Sequence, residues 1–141
     1  LGRGYMLQIE RARSLLDISA AVNVVRHAGK VAVVGYCWGG QMAWLSAGQL
    51  PVSAAVGYYA SRLWQAMERL PACPMLLHFG ERDSGIPLER VAELRAAFPQ
   101  GEYHLYPAEH GFNCSARASY DAPSAALAWQ RTQDFLKAHI G

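Results

Sequence analysis

The chain has 141 residues, of which 52% are hydrophobic and 17% charged, and its formal net charge is +2. This composition is typical of one folded globular domain spanning 1–141 and excludes a disordered chain. Its apolar runs are far shorter than the roughly 20 residues of a membrane-spanning helix. Its Lys and Arg residues are scattered among acidic ones, so neither a membrane nor nucleic acid is expected as a partner.

The cysteines Cys37, Cys73 and Cys114 are widely spaced and odd in number, which matches neither a disulfide framework nor a CxxC motif. Free thiols in a reducing cytoplasm are the simpler interpretation. No residue set has the spacing of metal ligands, and we expect no metal. The chain opens at Leu1 without a secretory signal, which we interpret as the start of an amino-terminally truncated fragment.

Apolar residues at helical spacing predict a first helix over Tyr5–His27. The next segment, Lys30–Gly35, is a short β-branched run, and we expect a strand covered on both faces. The pattern then repeats. Further helices are predicted near Gln41–Gly48, Leu63–Leu70, Leu88–Phe98 and Ser124–His139, and further strands at Ala54–Tyr58, Met75–Phe79 and Tyr103–Tyr106. Strands that alternate with helices predict an α/β fold, with about four parallel strands and flanking helices.

The sequence Gly35-Tyr36-Cys37-Trp38-Gly39 follows the first predicted strand and precedes a helix. This is the pattern of a nucleophile elbow with Cys in the place of Ser, and the tight turn explains why Gly35 and Gly39 lack bulk. The amino terminus of the helix favours a thiolate at Cys37, and the backbone N–H of Trp38 is placed to donate to an oxyanion. The alternative is a small core cysteine near a turn.

A thiol nucleophile needs a base and an acid, and in α/β-hydrolases these follow the nucleophile in the order acid, then histidine. Asp83 lies in the polar loop after the strand Met75–Phe79, where sites of parallel sheets gather. It is our choice of acid, with Glu81 as competitor and a turn or helix cap as the structural alternative.

His110 lies in the loop after the strand Tyr103–Tyr106 and is our choice of base. A loop histidine that hydrogen-bonds the backbone is the alternative. Tyr58 and Tyr59 end their strand at the same sheet edge, and we choose Tyr58 as a candidate for substrate contact, although packing explains an aromatic strand end equally well.

Several segments resemble the dienelactone hydrolase family over nearly the whole chain. They are Gly35–Gly40, Val56–Tyr59, His78–Asp83, His110–Asn113 and Ala126–Thr132. The resemblance implies an α/β-hydrolase that cleaves a small ester or lactone, with Cys37 forming an acyl-enzyme, His110 activating water and Asp83 orienting His110. It implies no cofactor.

The same resemblance implies that family members have a longer amino-terminal part, which holds the first half of the sheet, a glutamate that governs thiol ionisation and a second oxyanion donor. The strand Lys30–Gly35 would then be an exposed apolar edge, which we expect self-association, most simply a homodimer, to cover. The family's substrate-gripping arginine falls near Cys114 here, with Arg117 as a replacement. Dienelactone itself is therefore a doubtful substrate.

Two other hypotheses remain open on the sequence alone. One is a noncatalytic remnant of the fold that acts as an assembly or binding module. The other is a redox-sensing thiol at Cys37, for which no neighbouring resolving cysteine is evident in the sequence.

Overall fold

The computed structural model describes residues 2–141, and side chains from residue 4 onward. Its helices are α1 (Gly2–Gln8), α2 (Arg11–Val25), α3 (Trp38–Gln49), α4 (Leu88–Ala97) and α5 (Ala122–Ile140). Its strands are β1 (Ala32–Tyr36), β2 (Ala54–Tyr58), β3 (Met75–Gly80) and β4 (Glu102–Tyr106). Among the described helices, none combines the length and apolar character needed to cross a bilayer.

The strands form one parallel sheet whose spatial order, β1-β2-β3-β4, is the same as their order in the chain. The register aligns Tyr36 with Tyr58, Tyr58 with His78, and His78 with His104. The predicted α/β fold with four parallel strands is confirmed. Because all strands run the same way, the loops that leave their carboxyl ends meet at one edge of the sheet.

Two predicted helices differ from those in the structure. The first is divided in two, because Glu10 has extended backbone angles and occupies the N-cap position of α2. The helix predicted over Leu63–Leu70 is wrong, since only a short 3-10 turn, Leu63–Gln65, forms there. The buried indole of Trp44 donates to the carbonyls of Ala66 and Arg69, at 3.1 and 2.9 Å. These carbonyls are thereby held by a tertiary contact rather than by a regular helix.

The prediction that the first strand is covered on both faces is also wrong. β1 lies at the edge of the sheet and has one neighbouring strand, whereas β2 and β3 are buried along their whole length. Val34 and Tyr36 remain 38% and 43% exposed. Beside them runs an open groove lined by Ser14, Asp17, Ile18, Val33, Val34, Gly35, Trp38, Gly39 and Met42.

A buried polar network joins three strands to α5. The Tyr58 hydroxyl lies 2.7 Å from Thr132 Oγ1, which lies 2.9 Å from His78 Nε2. His78 Nδ1 lies 2.8 Å from the Tyr106 hydroxyl, and Arg131 donates to that hydroxyl at 3.2 Å. Because Arg131 can only donate, the single Tyr106 proton goes to Nδ1 of His78, and Nε2–H of His78 donates to Thr132. His78 is therefore neutral in the folded protein.

Burial lowers the pKa of His78 to about 3, and nearby His104 and Arg131 act in the same direction. A histidine in the unfolded chain titrates near 6.5. As the pH falls from about 6.5 towards 3, the unfolded state takes up a proton that the folded state refuses. The stability linked to His78 is thus complete above the unfolded pKa and is lost on acidification.

We predict that this histidine steepens the acid loss of stability by up to about 1.4 kcal/mol per pH unit. Urea unfolding between pH 7 and pH 4 should show a shallower dependence in His78→Gln than in the wild type, even though loss of the network lowers the stability of the variant at pH 7. The exposed His27 provides the control, because His27→Gln should keep the wild-type slope. Parallel slopes for all three proteins would contradict the prediction.

Candidate active site

Cys37 lies at the sharp turn between β1 and α3, with φ of 54° and ψ of −116°. A Cβ at Gly35 would overlap the carbonyl group of Gly39, and a Cβ at Gly40 would lie 2.5 Å from the Cβ of Ala60. At Gly39 a Cβ would meet nothing within 4 Å. The prediction that Gly39 must lack bulk is therefore wrong, because the second close approach of the elbow is made by Gly40.

Three backbone hydrogen bonds hold the strained turn in place. The N–H of Cys37 donates to the carbonyl of Tyr58 at 2.9 Å. The carbonyl of Cys37 accepts from the N–H of Gly40 at 3.0 Å and from that of Ser61 at 3.1 Å. A positive φ at a residue other than glycine persists only where its surroundings enforce it. The bonds to Tyr58 in β2 and to Ser61 after it, together with the bond from Gly40 in α3, supply that enforcement and fix the direction of the Cys37 side chain.

His110 bridges Cys37 and Asp83. Its Nε2 lies 3.1 Å from Cys37 Sγ, and its Nδ1 lies 2.6 Å from Asp83 Oδ2. The Asp83 side chain is fully buried, and its other oxygen accepts from the N–H of Gly85 at 2.9 Å. The carboxylate requires a proton on Nδ1, so Nε2 faces the sulfur. The three residues chosen from sequence are thus brought together in the order sulfur, imidazole, carboxylate, while Glu81 is exposed.

Cys37 and His110 shift each other's pKa in opposite directions. The hydrogen bond with Asp83, and then that with Cys37, raise the pKa of His110 to about 9. The hydrogen bond from His110 lowers the pKa of Cys37, against the opposing effect of burial, and the His110 charge, Ser61 and the N–H of Trp38 lower it further. Both shifts favour a thiolate paired with an imidazolium. Such a thiolate is a far stronger nucleophile than a thiol.

The loops that carry Asp83 and His110 pack directly on one another. The N–H of Arg82 donates to the carbonyl of Ala108 at 3.0 Å, and a Cβ at Gly80 would lie 2.4 Å from that same oxygen. Beyond the histidine, Ser119 donates to the carbonyl of His110 at 2.8 Å. The distance between acid and base is therefore set by backbone contacts as well as by the side-chain hydrogen bond.

The sulfur opens into a cleft of about 350 Å³. Its lining consists of Tyr36, Cys37, Tyr59, His110, Gly111, Asn113, Cys114 and Arg117. Arg117, a predicted substrate contact, lies in this cleft, where its side chain covers Gly111 at a φ of 79°. Cys114 lies there too, four residues after His110 and near the position that the resemblance gives to the family's arginine. Among the described residues, no group of three or more His, Cys, Asp or Glu could hold a metal ion.

Tyr58 does not reach the cleft and requires a correction. Its side chain is fully buried and its hydroxyl is occupied by Thr132, so the choice of Tyr58 for substrate contact is wrong. Tyr59 lines the cleft instead, with its ring centroid 5.1 Å from that of His110. β2 ends at Tyr58 and the backbone turns at Tyr59, whose φ is 36°, so the ring of Tyr59 lines the cleft while that of Tyr58 stays in the core.

Sequence reasoning missed Ser61, whose hydroxyl lies 3.9 Å from Cys37 Sγ. The available signal was its position, since it follows β2 at the same sheet edge as the other site loops. The backbone N–H of Trp38 lowers the pKa of the Cys37 thiol by hydrogen-bonding the sulfur, whereas its donation to an oxyanion stays a prediction.

The model of the dienelactone hydrolase family matches residues 4–140 of the chain. The chain belongs to the dienelactone hydrolase family. A carboxymethylenebutenolidase from Pseudomonas putida is 38% identical over 130 residues, which cover 85% of this chain and 55% of that protein. The crystal structure of a "Putative Dienelactone Hydrolase" from Klebsiella pneumoniae is 28% identical with a TM-score of 0.82, over 90% of this chain and 61% of that one.

A third comparison supports the fold alone. A dienelactone hydrolase-like promiscuous phosphotriesterase from metagenomic libraries is 21% identical with a TM-score of 0.63, over 80% of this chain and 54% of that one. This dienelactone hydrolase family chain spans about half the length of the curated relatives it matches.

Proposed function

We propose that this chain carries the nucleophile, base and acid of a hydrolase that cleaves a small ester or lactone through a Cys37 acyl-enzyme. The observation that carries the proposal is the continuous hydrogen-bonded series from Cys37 Sγ through His110 to the buried Asp83. Family membership supports the same reaction class, and the name of the Pseudomonas putida relative indicates a butenolide lactone as the substrate of that protein.

In the first half of the reaction, the Cys37 thiolate attacks the carbonyl carbon of the ester. A C–S bond forms and the carbonyl oxygen becomes an oxyanion, to which the N–H of Trp38 donates. As the tetrahedral intermediate collapses, the C–O bond to the alcohol breaks and the alkoxide takes the proton from Nε2 of His110. The product of this half is a thioester on Cys37 with His110 neutral.

In the second half, neutral His110 takes a proton from water while the water oxygen attacks the thioester carbon. The new C–O bond forms, the C–S bond breaks, and the acid leaves as the thiolate is restored beside a protonated His110. Asp83 keeps its charge throughout and holds Nδ1 of His110 in the protonated tautomer. Its burial is tolerated because two donors, His110 and the Gly85 N–H, satisfy it.

We predict that Cys37 reacts with iodoacetamide rapidly below pH ~7 and that His110→Ala moves the profile towards the ~8.5 of a free thiol. The rate is followed against pH, with intact mass to count modified thiols and peptide mapping to locate them. The exposed His27 again provides a control, because His27→Ala should leave the profile unchanged. In parallel, ester turnover should disappear in Cys37→Ala.

Slow and identical alkylation of the wild type and His110→Ala would contradict the assembled site. The alternative of a noncatalytic assembly module would then lead, and the open edge of β1 is the observation that favours it.

Substrate charge is the next element of the proposal. The Arg117 guanidinium lies in the cleft that contains Cys37 and His110, and within the described part of the chain no carboxylate forms an ion pair with it. An arginine left available in a site binds carboxylate strongly through charge-assisted hydrogen bonds. We therefore assign to Arg117 the recognition of an acidic group on the ester or lactone.

We predict that Arg117→Gln lowers kcat/KM for an ester that carries a free carboxylate about tenfold, a loss of about 1.4 kcal/mol, while kcat/KM for a neutral ester of equal size changes little. Arg13→Gln, on the exposed surface of α2, is the control and should affect neither substrate. Equal losses for both esters would show that Arg117 supports the loop rather than the substrate.

Self-association is a separate proposal, made from the open edge of β1. Unpaired backbone groups beside apolar side chains such as Val34 form a template for pairing with another chain. A second copy that pairs along β1 bonds the free backbone groups and covers the apolar side chains, which gives a closed homodimer.

Because the three cysteines are unpaired, we also assign the protein to a reducing compartment such as the cytoplasm.

We predict a dimer mass for the wild type by light scattering coupled to size-exclusion chromatography, and a monomer mass for Val34→Lys, since a charge at an edge strand opposes pairing. Leu127→Lys, at an exposed position of α5, is the matched control and should leave the dimer intact. A monomeric wild type would exclude this mode of assembly.

A further inference from the structure

Strained backbone is concentrated around the nucleophile. Within residues 2–141, the residues other than glycine with positive φ are Cys37 at 54°, Tyr59 at 36° and Arg62 at 56°. Two of these lie on either side of Ser61, in the segment that follows β2. Residues with strained backbone angles persist only where the surrounding structure enforces the conformation, and they cluster at functional sites. The segment 59–62 is thus held in one particular conformation beside Cys37.

Four contacts fix that conformation. The N–H of Tyr59 donates to the carbonyl of His78 at 2.7 Å. The N–H of Ser61 donates to the carbonyl of Cys37 at 3.1 Å. The side chain of Gln41 donates to the carbonyl of Arg62 at 2.7 Å. Ala60 lies against Gly40, since a Cβ added at Gly40 would be 2.5 Å from the Cβ of Ala60. Ser61 is therefore anchored on both sides, and its hydroxyl lies 3.9 Å from Cys37 Sγ.

We propose that the Ser61 hydroxyl donates a hydrogen bond to the Cys37 thiolate and keeps the nucleophile ionised together with His110. The inference rests on the proposed hydrolase function, since it concerns the same sulfur. A thiolate only accepts hydrogen bonds, and a serine hydroxyl supplies one proton for that purpose without itself ionising at neutral pH. Ser61 thus stabilises the thiolate, whereas His110 both stabilises it and moves protons.

The Ser61 contribution differs from that of His110 in its dependence on charge. His110 supports the thiolate most strongly when it is protonated, and it loses that proton to the leaving alcohol. The Ser61 hydroxyl is neutral in every state and stays on its fixed segment. The titratable or charged side chains that line the cleft around the sulfur are Tyr36, Tyr59, His110, Cys114 and Arg117.

The test measures the pH midpoint of Cys37 alkylation in Ser61→Ala, Ser61→Thr and the wild type. Loss of the donor should raise the midpoint by about half a unit to one unit, equivalent to a three- to tenfold lower rate at pH values well below both midpoints. Ser61→Thr keeps the hydroxyl and should remain near the wild type. Ser53→Ala, at the amino end of β2 and thus the opposite end of the sheet, is the matched control and should not shift the midpoint.

The Ser61→Ala change is also made in the His110→Ala background, where a further upward shift is expected because the hydroxyl acts independently of the imidazole. If Ser61→Ala does not fold, the isosteric pair Ser61→Thr and Ser61→Val gives the same comparison. A Ser61→Ala midpoint equal to that of the wild type, with His110→Ala still shifted, overturns the role of Ser61 and leaves the proposed function standing. A free-thiol midpoint in the wild type overturns both.

Discussion

The buried carboxylate of Asp83 is the constraint to which the rest of the site is fitted. Its charge is isolated from water, so it must be matched by donors, and these are Nδ1 of His110 and the N–H of Gly85. That requirement fixes the tautomer and orientation of His110, which in turn directs Nε2 at Cys37. The elbow then has to present its sulfur at 3.1 Å from that nitrogen, and it does so at the cost of a positive φ.

A second histidine, His78 in β3, has its pKa shifted in the opposite direction. His78 lies between Tyr106 and Thr132, where no anion is available and burial keeps the ring neutral, with its pKa lowered to about 3. His110 lies beside an anion at the end of the same sheet, and its pKa is raised to about 9. Location relative to one carboxylate thus decides whether an imidazole serves as structure or as a proton carrier.

Sequence patterns predicted the parallel sheet, and they indicated Cys37, Asp83 and His110 as candidate site residues because strand ends and chain order determine which loops meet. They failed where a tertiary contact decides the outcome. The helix predicted near Leu63 is displaced by the hydrogen bonds of Trp44, and the close approach at Gly40 depends on Ala60, which belongs to another element. The sequence did not show which of Tyr58 and Tyr59 meets the site, because the strand ends at Tyr58 and tertiary contacts hold Tyr59 at a positive φ.

The agreement between strand order in space and in sequence has a consequence for biosynthesis. Among the four strands of residues 2–141, β2, β3 and β4 each pair with the strand made just before them, so none of the three waits for a later strand to fill a gap. β1 and β2 can hold the elbow while Asp83 and His110 are still unmade. In order of synthesis the elbow therefore precedes Asp83 and His110, so the imidazole that lowers the pKa of Cys37 is added after the sulfur that it acts on.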